Sequence, residues 1–468
     1  MLQHYKKLQE NFLTLNKILS NYTRELDSST NIIKETQTKL TTSQREAVGL
    51  LSVGTFLEYF DLMLYVHMAF LLNDLFFPNV DPFTASLLSA FSFCSTYFFR
   101  PFGALLFGYI GDYVGRKIVV ILTTLLMAIS CVIIATLPTY AQIGITASWV
   151  ITACRAVQGM AATAEARGAE IYLTESSKPP LQYSLVALIT VFSALGTTAA
   201  LGVASIFTNS SIYNDSSSWR IAFLVGAGIA LVGTAARTSL KEADEFTNKK
   251  NKLKNRLEDN QIKIEEINHK YIDEKPSIIT SISYFFIHCA RPPCFYFIYI
   301  YCGDLLKQKC GFSSAEVIGQ NFWVSIIDLF GIIALAYLSL KIHPFKILKT
   351  KFYAFFLILS FFPLTLNYCL TPSSILIFQC LAALFVFDHV PASPIFYKHF
   401  PVFKRFTYTS FLSALAKLLT YLITSFGLVY TTSVFGYGGL FCIFMPVGIA
   451  FFMSLRHFQK LEHEDPEA

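Results

Sequence analysis

Twelve long apolar runs, separated by short polar breaks, constrain this chain more than any other feature. They fall at 46–72, 84–108, 118–138, 142–172, 181–208, 219–238, 277–302, 316–340, 352–371, 373–397, 407–431 and 435–456. A helix crossing a bilayer needs roughly 20 mostly apolar residues, and each run supplies about that length. The runs are continuous rather than alternating, which excludes a closed β-barrel. Of the 468 residues 54% are hydrophobic and 15% charged, with 45 Phe and 24 Tyr, more apolar side chain than one soluble core can bury. The expected fold is an all-α membrane protein with twelve transmembrane helices in two six-helix bundles.

The formal net charge of +6 would suit an anionic partner such as nucleic acid if it were concentrated in one patch. It is instead spread over alternate loops: Arg45 before the first run, Arg116 and Lys117 after the second, Lys178 after the fourth, Lys346 and Lys349 after the eighth, Lys404 after the tenth. The opposite loops carry almost no Lys or Arg, Lys307 and Lys309 being the exception. An excess of cations on one side places that side and both termini in the cytosol. The segment Met1 to Arg45 is polar, without the apolar core of a signal peptide. The ten cysteines lie mostly inside apolar runs, where a thiol acts as a small hydrophobe; Cys302 and Cys310 flank one loop and could pair.

Between the sixth and seventh runs, Lys241 to Lys275 holds nine basic and nine acidic residues, a solvated linker rather than a nucleic-acid grip. The expected organisation is therefore a cytosolic tail at 1–45, one six-helix bundle at 46–238, a charged linker at 239–276, a second bundle at 277–456 and a cytosolic tail at 457–468. Two parallel bundles joined in this way can rock about a site at the membrane midplane.

Gly108, Asp112, Gly115, Arg116 and Lys117 form a G-x-x-x-D-x-x-G-R-K pattern at the loop after the second run. Glycines let two helix ends approach, Asp112 can accept backbone amides or pair with a cation, and Arg116 can reach a neighbouring helix, with Glu175 as the partner. In this pattern the chain resembles the major facilitator superfamily. Arg100-Pro101-Phe102-Gly103, Arg155-Ala156-Val157-Gln158-Gly159, Glu175 and Trp219-Arg220 together resemble the metabolite:proton symporter family, closest to its proline/betaine branch. The resemblance covers roughly residues 46 to 246. At the corresponding loop of the second half, Leu340-Lys341-Ile342-His343-Pro344 lacks the acid and the glycines. The resemblance implies the major facilitator fold, a gating role for the loop motif, and uptake of a small solute with protons.

Several ionisable residues sit inside apolar runs, where they are costly and by default face a cavity or a partner. Glu58, Asp61 and Tyr65 share one face of the first run by their three-to-four spacing. Asp61 lies roughly 15 residues, or about 22 Å, from the cytosolic end, and Arg155 lies at comparable depth on a run of opposite direction. The resemblance matches both to the acid and arginine that proton-coupled relatives place on these helices. If they meet, the guanidinium favours the charged carboxylate and desolvation favours the neutral one, so substrate or conformation can load or release a proton; an architectural ion pair is the competing reading. Glu165 resembles the acid of the family's G-G-E stretch, with Thr163 and Ala164 replacing the glycines. In the second half, His288 and Arg291 precede Pro292-Pro293, a doublet expected to break the helix and bare carbonyls at a site. Arg291 could hold a carboxylate in a bidentate contact, while Asp328, Asp388 and His389 are further intramembrane ionisables. Tyr59, Phe60 and Trp323 could cage a quaternary ammonium head.

The expected proton-coupling set is thus Asp61, Arg155 and Glu58. The expected substrate-binding set is Tyr59, Tyr65, Gln158, Glu165, Arg291, His288 and Trp323. No nucleophile–base constellation, metal-ligand cluster or G-x-x-x-x-G-K-[ST] phosphate loop occurs, so neither enzyme chemistry, a cofactor, nor ATP-driven pumping is expected. The reading is a secondary transporter in a bacterial inner membrane, working as a monomer, its partners being lipid, protons and a small solute of the proline/betaine type or a carboxylate. The alternatives are an efflux antiporter or facilitator of the same fold, or a transport-inactive receptor or scaffold. Efflux is disfavoured because the fifth run, Ala194 to Ala199, lacks the Gly-Pro pair usual in drug exporters.

Overall fold

A computed structural model describes residues 40–77, 97–113, 116–162, 165–208, 219–238, 276–368, 371–401 and 405–464. The linker reading for 239–276, apart from its last residue, most of the N-terminal tail and the last four residues of the chain lie outside the described residues.

The chain forms helices where apolar runs leave the backbone no water to bond. In the first half these are α1 (Thr42–Phe76), α2 (Arg100–Tyr113), α3 (Arg116–Thr136), α4 (Ile145–Ala161), α5 (Glu165–Ser176), α6 (Leu181–Thr208) and α7 (Trp219–Thr238). In the second half they are α8 (Ile278–His288), α9 (Arg291–Phe295), a π-helical turn at Tyr296–Tyr301, α10 (Cys302–Cys310), α11 (Ser314–Leu338), α12 (Pro344–Tyr368), α13 (Pro372–Leu384), α14 (Ser393–Lys398), α15 (Arg405–Phe435) and α16 (Leu440–Glu464). Segments of all twelve expected spans are present: α4 with α5 make the fourth, α8 through α10 the seventh, and α13 with α14 the tenth. Among the described residues five stretches are, by length and apolarity alone, able to cross a membrane: Gln44–Met68, Leu181–Phe207, Ser314–Leu338, Pro344–Thr365 and Arg405–Glu464. The last of these contains two helices.

Local signals explain the starts. Thr41 caps α1, its hydroxyl accepting from the Gln44 amide at 3.2 Å while the Gln44 side chain accepts from the Thr41 amide at 3.0 Å. Ser313 and Glu316 make the same reciprocal cap on α11. Many hydroxyls turn back onto their own helix, as Thr55 does to the Leu51 carbonyl at 3.0 Å and Ser130 to Leu126 at 2.8 Å, which satisfies them without water. The outside of the molecule is apolar: Trp149, Phe330, Leu357, Ile423 and Met453 are all exposed. So continuous an apolar surface is stable only against lipid.

Helices α1, α6, α3 and α7 pack as one group, and α8, α15, α16, α11 and α13 as another. In the first group Gly196 of α6 lies against the backbone of α1, where a Cβ would overlap the Phe56 carbonyl; Gly103 of α2 lies as closely against Met160 of α4. The halves meet along α6 and α11 and along α2 and α15. The α6–α11 seam includes small and apolar groups, Gly202 facing the Phe322 ring and Gly319 facing Ser205, and a hydrogen bond from Thr198 to the Ser325 carbonyl at 3.2 Å.

One span departs from the expectation of a single helix, and another breaks at the proline doublet where a break was expected. The tenth, expected at 373–397, leaves helical geometry after Leu384 and resumes at Ser393. Its irregular stretch holds Asp388, His389 and Pro391, and Phe387 through Ala392 are buried in protein, where non-helical backbone is tolerated at membrane depth. The seventh breaks at Cys289 and Ala290 so that Pro292 and Pro293 begin a new helix, the positions where a missing N–H costs least. Cys302 and Cys310 are free thiols rather than a pair.

Candidate functional site

The two halves enclose a cavity of about 110 Å³. One water needs ~10–15 Å³ on this measure, so the space suits a small solute and not an acyl chain. Its wall is polar. Glu58, Tyr59, Arg100, Arg167 and Glu170 face it from the first half, and Arg291, Asp328, His389, Lys417 and Tyr421 from the second. Among the described residues, no group of His, Cys, Asp and Glu is arranged to hold a metal ion.

Contacts between the halves lie on both sides of this cavity. The end of the bundle that carries Thr42 and Glu464 is here called the terminal end. On that side Arg167 of α5 donates to Glu170 at 2.8 Å and to the Tyr397 hydroxyl of α14 at 2.7 Å, and Tyr397 in turn donates to Glu170. The same guanidinium faces Nδ1 of His288 and Nε2 of His389, each at 3.4 Å. A guanidinium only donates, so in these contacts the two ring nitrogens can serve only as acceptors. The two rings pack against each other with centroids 4.3 Å apart and planes inclined by 55°. Nearer the terminal end, Tyr183 meets His343 edge to face. On the opposite side His67 meets Tyr299, and Asp74 binds Ser314 at 3.3 Å and Lys307 at 3.6 Å.

The sequence-derived candidates sort as follows. Glu58, Tyr59 and Arg291 line the cavity. His288 sits behind it in the Arg167 cluster. Asp61 and Arg155 are both buried and both lie beside Cys131, but the expected ion pair between them is not formed. Arg155 donates to Gln158 at 2.9 Å and rests 3.8 Å from the Tyr65 ring centroid, a cation–π contact. Gln158 reaches the Cys131 sulfur at 3.6 Å, and Asp61 lines a small adjoining pocket with Glu58, Thr123 and Thr124. Tyr65 and Gln158 therefore support Arg155 rather than line the main cavity.

Trp323 is corrected: it is 63% exposed on the outer face of α11, away from the cavity, as an aromatic among lipid-facing residues is. Arg291 is already bound, to Asp388 at 2.8 Å, and Lys351 binds the other Asp388 oxygen at 3.3 Å. Phe60 is buried in the core and contributes no cage wall. Gly108 and Asp112 fall in α2, and Arg116 and Lys117 open α3; the side chains of this motif, Gly115 itself, and the side chains of Glu165 and Glu175 lie outside the described residues. Lys417 escaped the sequence reading, although a lysine inside the apolar run 407–431 was a visible signal.

A chamber lined by charged side chains lies between two packed helical groups whose outer faces are apolar. The sequence profile of the Major Facilitator Superfamily matches residues 51–413, and the chain belongs to that superfamily. Among curated relatives, a proline/betaine transporter of Salmonella typhimurium is 30% identical over 213 residues, 45% of this chain and 42% of that one. A putative metabolite transport protein of Haemophilus influenzae is 34% identical over 217 residues, 45% and 48% of the two chains. The chain thus spans about half the length of the curated relatives it matches. Among solved structures, the proton:xylose symporter XylE of E. coli, bound to 6-bromo-6-deoxy-D-glucose, superposes with a TM-score of 0.67 over 89% of this chain and 95% of that one, at 15% identity. That likeness concerns the fold: twelve transmembrane helices in two six-helix bundles.

Proposed function

We propose that the chain is a secondary active transporter that imports a small polar organic solute, of the proline/betaine type or another carboxylate, together with protons. The observation that carries this reading is the charged cavity between two halves that touch on both of its sides. Such an arrangement suits alternating access, in which one set of contacts parts while the other holds. The names of the relatives point to the solute class, and the intramembrane acids to the coupling ion. Asp61 on α1 and Arg155 on α4, both buried, are the coupling pair of this reading: movement of α1 against α4 changes the company of the carboxylate, and with it its proton. The cationic loops put both termini in the cytosol of a bacterial inner membrane. The bundles at 46–238 and 277–456 act as the rocking units, joined by 239–276, in a monomer.

The test is uptake by proteoliposomes under an imposed pH gradient, with labelled proline, glycine betaine and dicarboxylates. Accumulation that collapses with the gradient is expected, and Asp61→Asn should abolish it while leaving counterflow. Uphill uptake unchanged by Asp61→Asn sinks the coupling assignment, and extrusion instead of uptake sinks import.

A further inference from the structure

The cavity wall carries four cations, Arg100, Arg167, Arg291 and Lys417, against three acids, Glu58, Glu170 and Asp328. Arg167 is held by Glu170 and Tyr397, and Arg291 by Asp388. Arg100 and Lys417 differ: among the described residues neither makes an ion pair or a hydrogen bond. Arg100 lies over the Tyr97 ring, 4.4 Å from its centroid, and its Nε has no partner. Lys417 shares the cavity wall with Arg100, Arg167, Arg291 and His389 and with the acids Glu58, Glu170 and Asp328, and of these acids Glu170 is already engaged by Arg167 and Tyr397.

The two cations are also level with each other. Tyr97 and Tyr421 meet across the interface of the halves with ring centroids 4.0 Å apart and planes tilted by 36°. Arg100, the first residue of α2, follows Tyr97 by three residues, and α2 runs towards the terminal end; Lys417 precedes Tyr421 by four on α15, which runs away from it. Each cation therefore lies about one turn from the tyrosine pair in the same direction. Between that pair and the Arg167–Tyr397 cluster, the cavity presents one guanidinium and one ammonium from opposite halves. Two such groups in a low-dielectric site call for an anion.

We propose that Arg100 and Lys417 are the two jaws of a carboxylate clamp, so that the transported solute must carry a carboxylate and is bound by both halves at once through it. This rests on the transport reading above. It assigns to Lys417 and Arg100 the role that sequence spacing suggested for Arg291, whose guanidinium is occupied by Asp388. A zwitterion or a dicarboxylate satisfies the clamp, whereas a cation or a neutral polyol leaves both jaws unpaired.

Glycine betaine and choline make a matched pair of probes, sharing a trimethylammonium head and differing in carboxylate against hydroxyl. The full-length purified chain is titrated with glycine betaine, succinate, choline and xylose, following protection against thermal unfolding, and the same probes are tried in proteoliposome counterflow. Glycine betaine or succinate should protect and exchange; choline and xylose should do neither. Lys417→Met should weaken the carboxylate's binding roughly tenfold or more, Arg100→Gln likewise, and Lys417→Arg should recover most of it. Because Lys417→Met removes an unpaired charge, its unliganded melting temperature should equal or exceed the parent's, which separates lost binding from lost folding. Protection by choline or xylose with both carboxylates inert overturns the clamp, as does undiminished carboxylate binding in Lys417→Met and Arg100→Gln. Failure of every probe to protect also overturns it, and only the added failure of all four in counterflow counts against transport itself.

Discussion

Removing one hydroxyl should loosen the terminal end of this protein without touching its core. Tyr397→Phe deletes the phenol that joins α14 to α5, losing the 2.7 Å bond from Arg167 and the bond to Glu170. The Arg167–Glu170 pair, which lies wholly within the first half, survives the change. Interhelical hydrogen bonds between neutral groups in membranes average about 0.6 kcal/mol, which would move a two-state equilibrium less than about threefold. Here both partners of the phenol are charged, and such bonds contribute about 1.5–3 kcal/mol, or roughly a ten- to hundredfold shift towards a form parted at the terminal end. Spin labels at Lys178 and Lys346, exposed positions on the two halves, report that separation by pulsed dipolar spectroscopy. A new or enlarged long-distance population is expected in Tyr397→Phe. A distance distribution superimposable on the parent's would refute the claim that this cluster latches the halves.

Two further substitutions test the packing and the placement of the cavity. Gly196→Val sets a branched side chain against the Phe56 carbonyl; overpacking of this kind costs about 1–3 kcal/mol, so the melting temperature should fall by several degrees, and an unchanged value would show that α1 and α6 are not in backbone contact. Trp323→Ala, on the lipid face, should alter solute uptake less than about twofold, as surface changes outside special contacts do, whereas Tyr59→Ala in the cavity wall should alter it strongly; the reverse order would return Trp323 to the site.

The fold was legible because bilayer physics leaves so few choices. A run of 28 residues such as Leu181–Thr208 with no charge in it must be a helix, and α6 and α7 begin and end where their runs do. Boundaries slipped where polar residues continue a helix beyond the hydrocarbon: α12 starts at Pro344 although its apolar run starts at 352, because Lys346, Lys349 and Lys351 are good helix formers. The break in the tenth span was harder to see. Its apolar run is unbroken in composition, and only Asp388, His389 and Pro391 together mark that the backbone leaves the helix. The site was half legible. Intramembrane charges announced themselves singly, but which of them pair depends on helix rotation, which spacing alone leaves open. Arg155 turned to Tyr65 and Gln158 rather than Asp61, and Arg291 to Asp388. Trp323 fell outside because an aromatic in a span reads the same whether it faces solute or lipid.

The seam between α6 and α11 bears on how the two halves move. It offers a bearing surface of glycine, serine and ring carbon with Thr198 as a polar stud, and so gives little friction to a rolling or sliding displacement. Resistance to motion is then concentrated at the rim, in the Arg167–Tyr397 cluster on one side and Asp74 with its partners on the other. Mutations along the seam should accordingly change how well the protein packs, and mutations at the two rims should change how fast it turns over.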